Sequence, residues 1–88
     1  MNEQEILEEL LGILEAEHVS IRNEPLGGDG GGLCIVKGKQ TFFVDTQAQS
    51  ADTAALCAEA VLKLVDIEKI YVKPEVRRFV EKYIRLMQ

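Results

Sequence analysis

A glycine-rich segment is the part of the sequence best suited by residue type to hold a small ligand. Successive backbone N–H groups in such a segment can form a concave site for phosphate or a carboxylate, and Arg22 would add a nearby positive charge. A phosphate-binding P-loop would continue into Gly-Lys-Ser/Thr and a helix, whereas this segment joins two predicted strands. We therefore favour a structural loop and keep an anion-binding or enzyme domain as the alternative. The segment consists of Gly27, Gly28, Asp29, Gly30, Gly31 and Gly32.

Residues able to ligate a soft metal or to act as nucleophiles are few. His18, Cys34 and Cys57 are the only histidine and cysteines, and none stands in a C-x-x-C or H-x-x-x-H spacing. The second predicted helix contains Ala-Leu-Cys-Ala-Glu-Ala where a small zinc peptidase would need His-Glu-x-x-His, and we expect its Glu59 to face solvent. We predict no metal site, no cofactor and no catalytic residue, and we interpret both cysteines as reduced, buried thiols.

Apolar spacing predicts a helix followed by three short strands. Residues 3–17 place leucines and isoleucines at helical intervals, with glutamates on the remaining surface. Residues 19–23 alternate as a strand that ends before Pro25, because proline lacks the N–H that a central strand requires. Residues 33–37 and 40–46 are apolar and β-branched enough to form the next two strands.

The predicted hairpin over residues 33–46 has apolar side chains on both of its sides. Glycine at the first central position suits a type II′ turn, so Gly38 and Lys39 are taken as the turn residues. In that register Ile35 faces Phe42, and this side of the hairpin can pack against helices. The opposite side also needs a cover. It carries Cys34, Val36, Thr41 and Phe43.

Two further helices are predicted in the second half of the chain. The segment that begins at Ser50 is apolar nearly all round, which indicates a mostly buried helix. Residues 70–72 are expected to form a short extended stretch, and Pro74 begins a last helix at a position where its missing N–H is harmless. Apolar residues as far as Met87 form the inner face of this helix. Its outer face carries Arg78, Lys82 and Arg85.

The predicted fold is a single α+β domain over residues 1–88. It is a three-stranded antiparallel meander packed with three helices, in the order α-β-β-β-α-(short β)-α, because short loops favour pairing between consecutive strands. With 47% hydrophobic and 28% charged residues, the chain has a globular composition and can bury one modest core.

The charge distribution argues against nucleic acid and membranes as partners. The net charge is −5, and residues 1–32 hold eight acids against one base, whereas residues 33–88 hold seven acids and nine bases. A double-stranded-RNA-binding domain shares the order helix, three strands, helix, but Ser-Ala-Asp-Thr-Ala-Ala stands where it needs basic residues. With no apolar run of bilayer length and no signal-like start, we expect a cytoplasmic protein.

The segment from Pro25 to Asp45 contains Leu-Gly-Gly-Asp-Gly-Gly-Gly-Leu-Cys and, further on, Phe-Phe-Val-Asp. In this segment the chain resembles small bacterial proteins of unassigned function that have a glycine-rich loop before a β-hairpin. The resemblance implies a prokaryotic origin, and it implies no activity, ligand or catalytic residue.

These features together favour a non-catalytic protein-interaction module. A homodimer could cover the second side of the hairpin by burying Cys34, Val36 and Phe43 against their copies, or by pairing the 40–46 edge across a twofold axis. The basic face of the last helix is a second candidate surface. An open alternative is that the last helix itself covers the outer side of the hairpin.

Overall fold

Within residues 1–87, which a computed structural model describes, the chain forms three helices and three strands; side chains are described for residues 1–86. The predicted α+β class and the three helices are confirmed, and the Met87 side chain lies outside the described residues. Residues 70–72 form no strand, since they follow a 3₁₀ turn as irregular chain that buries Val72. The elements are α1 (Glu3–Ala16), β1 (Ser20–Glu24), β2 (Gly32–Val36), β3 (Lys39–Asp45), α2 (Ser50–Leu64), the 3₁₀ turn (Ile67–Lys69) and α3 (Pro74–Met87).

The sheet is mixed, so the predicted antiparallel meander is wrong. Its strand order is β1-β3-β2, with β1 parallel to β3 and β2 antiparallel to β3. β3 is therefore the central strand, and the 40–46 edge that was expected to be free for dimer pairing is paired on both sides. The free edges of the sheet belong to β1 and β2.

The glycine-rich loop explains the mixed order because it carries the chain across the end of β3. Glu24 lies beside Asp45 in the parallel register, and Gly32 lies beside Phe43 on the other side of β3. The crossing brings Gly31 against the β3 backbone: its φ is +100°, and an added Cβ would lie 2.9 Å from the Phe43 carbonyl oxygen. β1 and β2 consequently flank β3 and do not pair with each other.

The hairpin turn is centred one residue earlier than predicted. Val36 pairs with Lys39, so the central residues are Lys37 and Gly38, whose φ values are +52° and +79°. Two positive φ values define a type I′ turn in place of the expected type II′ turn. Each strand residue therefore faces a partner two positions away from the predicted one. A shift of two keeps every side chain on its predicted face of the sheet.

The three helices lie on one side of the sheet. α1 starts at a capping box: the Glu5 N–H donates to Asn2 Oδ1 at 2.9 Å, and the Asn2 N–H donates to Glu5 Oε1 at 3.1 Å. The helix packs closely on α2. Both helices contact the strands, whereas α3 packs on α1 and α2 through Val76 and Val80. The alternative that the last helix covers the outer side of the hairpin is therefore wrong for the described chain. Side chains with no exposed surface at the centre of the core include Leu10, Leu14, Phe42, Ala54, Cys57 and Val61.

Candidate functional site

The glycine-rich loop closes around the carboxylate of Asp45. Asp45 Oδ1 accepts hydrogen bonds from the backbone N–H groups of Leu26 and Gln47, both at 2.9 Å. Asp45 Oδ2 accepts from the N–H of Gly28 at 2.7 Å and of Gly30 at 3.1 Å. The residue is only 3% exposed. The concave array of N–H groups that could hold an anion is thus filled by the chain's own carboxylate.

The protonation of Asp45 follows from this environment. Burial by itself would raise the pKa of the carboxyl group, but the hydrogen bonds from four backbone N–H groups outweigh burial and hold the pKa below its ordinary value. The group is therefore ionised at neutral pH. Sequence reasoning missed Asp45, and the available signal was an acidic residue at the end of an otherwise apolar strand.

The remaining loop residues offer little positive potential to an anion. The N–H of Gly27 donates to Gln47 Oε1 at 2.6 Å. Asp29, together with Asp52 of α2, lines a depression beside the loop, and two carboxylates make its potential negative. Anion binding by residues 27–32 stays a prediction. These contacts favour the interpretation of the segment as a structural loop.

Arg22, the cation expected beside the loop, is held on the outer face of the sheet. Its guanidinium pairs with Glu24 at 2.8 Å and lies 5.6 Å from the centroid of the Phe43 ring. A cation above an aromatic ring is attracted by the ring quadrupole, although the 55% exposure of the Arg22 side chain keeps the contribution modest. Arg22 therefore partly covers Phe43.

The uncovered face of the sheet brings together four of the predicted interaction residues. Cys34 pairs with Thr41 across β2 and β3, and strand alternation places Val36 and Phe43 on the same face. Cys34 is exposed, Val36 and Phe43 are half-buried, and Thr41 is buried among its neighbours. These residues form a small, mainly apolar surface opposite the helices.

The basic residues of α3 form a separate surface. Arg78, Lys82 and Arg85 are exposed and follow one another at helical intervals. Because α3 packs on α1 and α2, this basic face lies on the helical side of the molecule, away from the uncovered sheet face. The structure does not join the two halves of the predicted interaction surface.

The two free edges of the sheet differ in how they are protected. β1 contains Arg22 and Glu24 and is followed by Pro25, and charges and proline both discourage strand pairing at an edge. β2 has the sequence Gly-Leu-Cys-Ile-Val, with no charge and no proline, and its Ile35 is 69% exposed. In the described chain β2 packs on β3 and α2, which leaves its other edge uncovered. An edge of this kind is a template for pairing with another strand.

The hairpin ladder decides which backbone groups this edge offers. In a type I′ turn the N–H of Lys39 bonds to the carbonyl of Val36, so this is a hydrogen-bonded pair, and bonded pairs alternate with non-bonded pairs along the strands. Cys34 therefore directs its N–H and C=O toward β3. Leu33 and Ile35 direct theirs away from β3, out of the β2 edge.

No metal-binding cluster forms among the side chains of residues 1–86. No three side chains of His, Cys, Asp or Glu in this part approach closely enough to hold a metal ion. His18 lies in the turn between α1 and β1. The expectation that both cysteines are buried is wrong for Cys34, which is exposed because it lies on the outer face of the sheet, opposite the helices. Cys57 is fully buried, and burial raises the pKa of its thiol to about 12, which keeps it protonated and unreactive.

Glu59, which was expected to face solvent, is half-buried and joins two helices. Its carboxylate pairs with Lys63 at 3.1 Å and accepts a hydrogen bond from Tyr83 of α3 at 2.9 Å. Lys63 and then Tyr83 lower the pKa of Glu59 by more than burial raises it. The group is therefore ionised at neutral pH and links α2 to α3.

Two findings concern membrane-spanning helices and similarity to known proteins. None of the helices among the described residues combines the length and the apolar run that a bilayer crossing requires. Searches against known protein families, curated proteins and solved structures find no match to this chain.

Proposed function

We propose that this chain is a non-catalytic protein-interaction module that binds an extended segment of a partner protein along the β2 edge. The observation that carries the proposal is the uncharged edge at Leu33 and Ile35, where free backbone groups lie beside an exposed apolar side chain. An added strand would satisfy those backbone groups and bury Ile35, which is the basis of recognition by strand addition.

The role of the glycine-rich loop supports this proposal over ligand binding. Its N–H groups converge on Asp45, and the nearby depression carries carboxylates. The loop is accounted for as the element that lets β1 and β2 flank β3. The most unusual part of the sequence thus serves the fold.

The chemistry of the partner segment follows from the two faces of β2. Leu33 and Ile35 point to the helical side, while Cys34 and Val36 point to the outer side. A strand laid beside them would meet apolar side chains on both faces. We expect the partner segment to be uncharged over about five residues.

Amide NMR of isotope-labelled protein tests the proposal. The probe is a capped peptide of alternating threonine and valine between terminal lysines, added to protein dilute enough to be a monomer. We expect chemical-shift changes and slowed hydrogen exchange at Leu33 and Ile35, because their N–H groups acquire acceptors. A peptide with proline at its centre is the control and should leave both amides unchanged.

Two variants locate the binding edge. Ile35→Lys places a charge on the β2 edge and should abolish the peptide effect, whereas Asn23→Lys places the same charge on the exposed β1 edge and should not. Separate titrations with inorganic phosphate and acetate follow the amides of residues 27–32. Shifts confined to that loop with none at β2 would overturn the interaction proposal in favour of an anion site.

A further inference from the structure

We infer that the segment that pairs with β2 is β2 of a second copy of this chain, in antiparallel register about a twofold axis at Cys34. This inference rests on the proposed function and identifies its partner. A pairing of this kind is isologous, so each copy uses the same edge, and the assembly closes at two chains with one continuous six-stranded sheet.

The backbone groups of the edge match this arrangement. With Cys34 at the axis, Leu33 lies opposite Ile35 of the second copy, and Ile35 lies opposite Leu33 of the second copy. These are the residues whose N–H and C=O groups point away from β3, out of the β2 edge. The two bonded pairs therefore form about four hydrogen bonds between the copies. A shift by one residue would place Cys34 and Val36, whose groups already face β3, in the bonded positions.

The charges at the two ends of β2 favour the antiparallel direction. Lys37 and Lys39 stand at the turn end, and Asp29 stands in the loop that precedes the other end. Antiparallel pairing brings each positive end toward the Asp29 of the second copy, twice per dimer. Parallel pairing would bring like charges together.

The side chains of the outer face also fit a second copy. In the proposed register Val36 of one copy lies opposite Gly32 of the other. A Cβ at Gly32 would have no heavy atom of the described chain within 4 Å, so the space above this position is open. Gly32 in turn pairs with Phe43 in its own sheet. Val36 of the second copy can therefore extend over Gly32 toward Phe43.

Sedimentation velocity over a range of concentrations is the first test. We expect the protein to pass from monomer to dimer mass as concentration rises. Ile35→Lys should raise the dissociation constant at least about tenfold, because it places an ammonium group in the interface. The control Asn23→Lys carries the same charge change on the β1 edge and should dimerise like the unaltered protein.

Cysteine cross-linking tests the register. Cys34 and its copy would form a non-bonded pair with Cα atoms about 4.5 Å apart, which lies within the disulfide range. Copper phenanthroline in air, with oxygen as the electron acceptor, should join the two thiols. The fully buried Cys57 is not available to the reagent. The double variant Cys34→Ser, Val36→Cys should fail to cross-link, because the two thiols at position 36 would lie about 13 Å apart along the strands. Cross-linking both through Cys34 in the unaltered protein and through position 36 in the double variant would indicate a parallel pair and overturn the inference.

The outcomes separate this inference from the proposed function. A protein that stays monomeric at millimolar concentration but binds the threonine-valine peptide at β2 would refute self-pairing and leave the proposed function intact. A dimer that Ile35→Lys does not weaken would likewise refute pairing through β2. A monomer whose β2 amides respond to no strand peptide would refute both.

Discussion

Replacing Gly31 by alanine should destabilise the fold more than replacing its neighbour Gly32. Their φ values are +100° and +113°, so alanine is strained at either position, by roughly 1–3 kcal/mol. Reduced freedom of the unfolded chain offsets roughly 0.4–1 kcal/mol of this in both variants. The positions differ in space: a Cβ at Gly31 would lie 2.9 Å from the Phe43 carbonyl oxygen, whereas at Gly32 it would meet no described heavy atom within 4 Å. Relieving that overlap costs about 1–3 kcal/mol more, which is the expected difference between the variants.

Urea unfolding followed by circular dichroism measures this difference. Both substitutions are made in the Ile35→Lys background, so that self-association, which would make stability depend on concentration, does not contribute. The slopes of free energy against urea should agree, because the surface exposed on unfolding is the same. Equal stabilities of the Gly31 and Gly32 variants would refute the close approach of the loop to β3.

Three further predictions test other parts of the structure. Gly12→Ala should stabilise the protein by about 0.5–1 kcal/mol in urea unfolding. Gly12 lies in the middle of α1 and is exposed to solvent, and a Cβ added there would have no described atom within 4 Å. A loss of stability would contradict this prediction. The ionised Asp45 stabilises the fold fully above its ordinary pKa of 3.8, and this contribution is lost as the pH falls through the lower pKa of the folded state. The free energy of unfolding, measured from pH 7 to pH 2.5, should therefore decrease once the pH is lower than about 4, and this decrease should be less steep in Asp45→Asn. The variant should also be less stable than the unaltered protein at pH 7, because an amide cannot accept every hydrogen bond that the carboxylate accepts. A maleimide reagent should label Cys34 in the native protein and Cys57 only on unfolding, as mass spectrometry of the peptides would show; native labelling of Cys57 would contradict its burial and its raised pKa.

Local patterns were sufficient to predict most of the elements and the faces of the hairpin. The apolar spacing of residues 3–17 matches α1 to within one residue, and Pro74 does begin the last helix. The side chains of the hairpin were assigned to the correct faces even though the turn was misplaced, because an error of two positions preserves alternation. Glycine at position 38 is compatible with both turn types. The positive φ of Lys37 could not be predicted, because lysine as a residue type does not indicate it.

The parts that could not be predicted depend on contacts between distant segments. The mixed sheet requires the loop to cross β3, and its attachment joins Leu26 to Asp45, 19 residues further along the chain. The placement of α3 on α1 and α2 is equally non-local, since its apolar stripe through Val76 and Val80 would suit the outer sheet face as well. The β2 edge is free because β3 is the central strand, whereas the predicted meander placed β2 at the centre.

The crossing of the loop over the tip of β3 also constrains the order of folding. β2 and β3 are joined by a two-residue turn, so their pairing costs little chain entropy and can occur early. β1 reaches its place beside β3 only when the intervening loop has passed over a strand that is already there. In a refolding experiment with pulsed hydrogen exchange, the amides of β1 should therefore become protected from exchange after those of the hairpin. Formation of the hydrogen bonds from the loop to the Asp45 carboxylate would mark the step at which the sheet is completed.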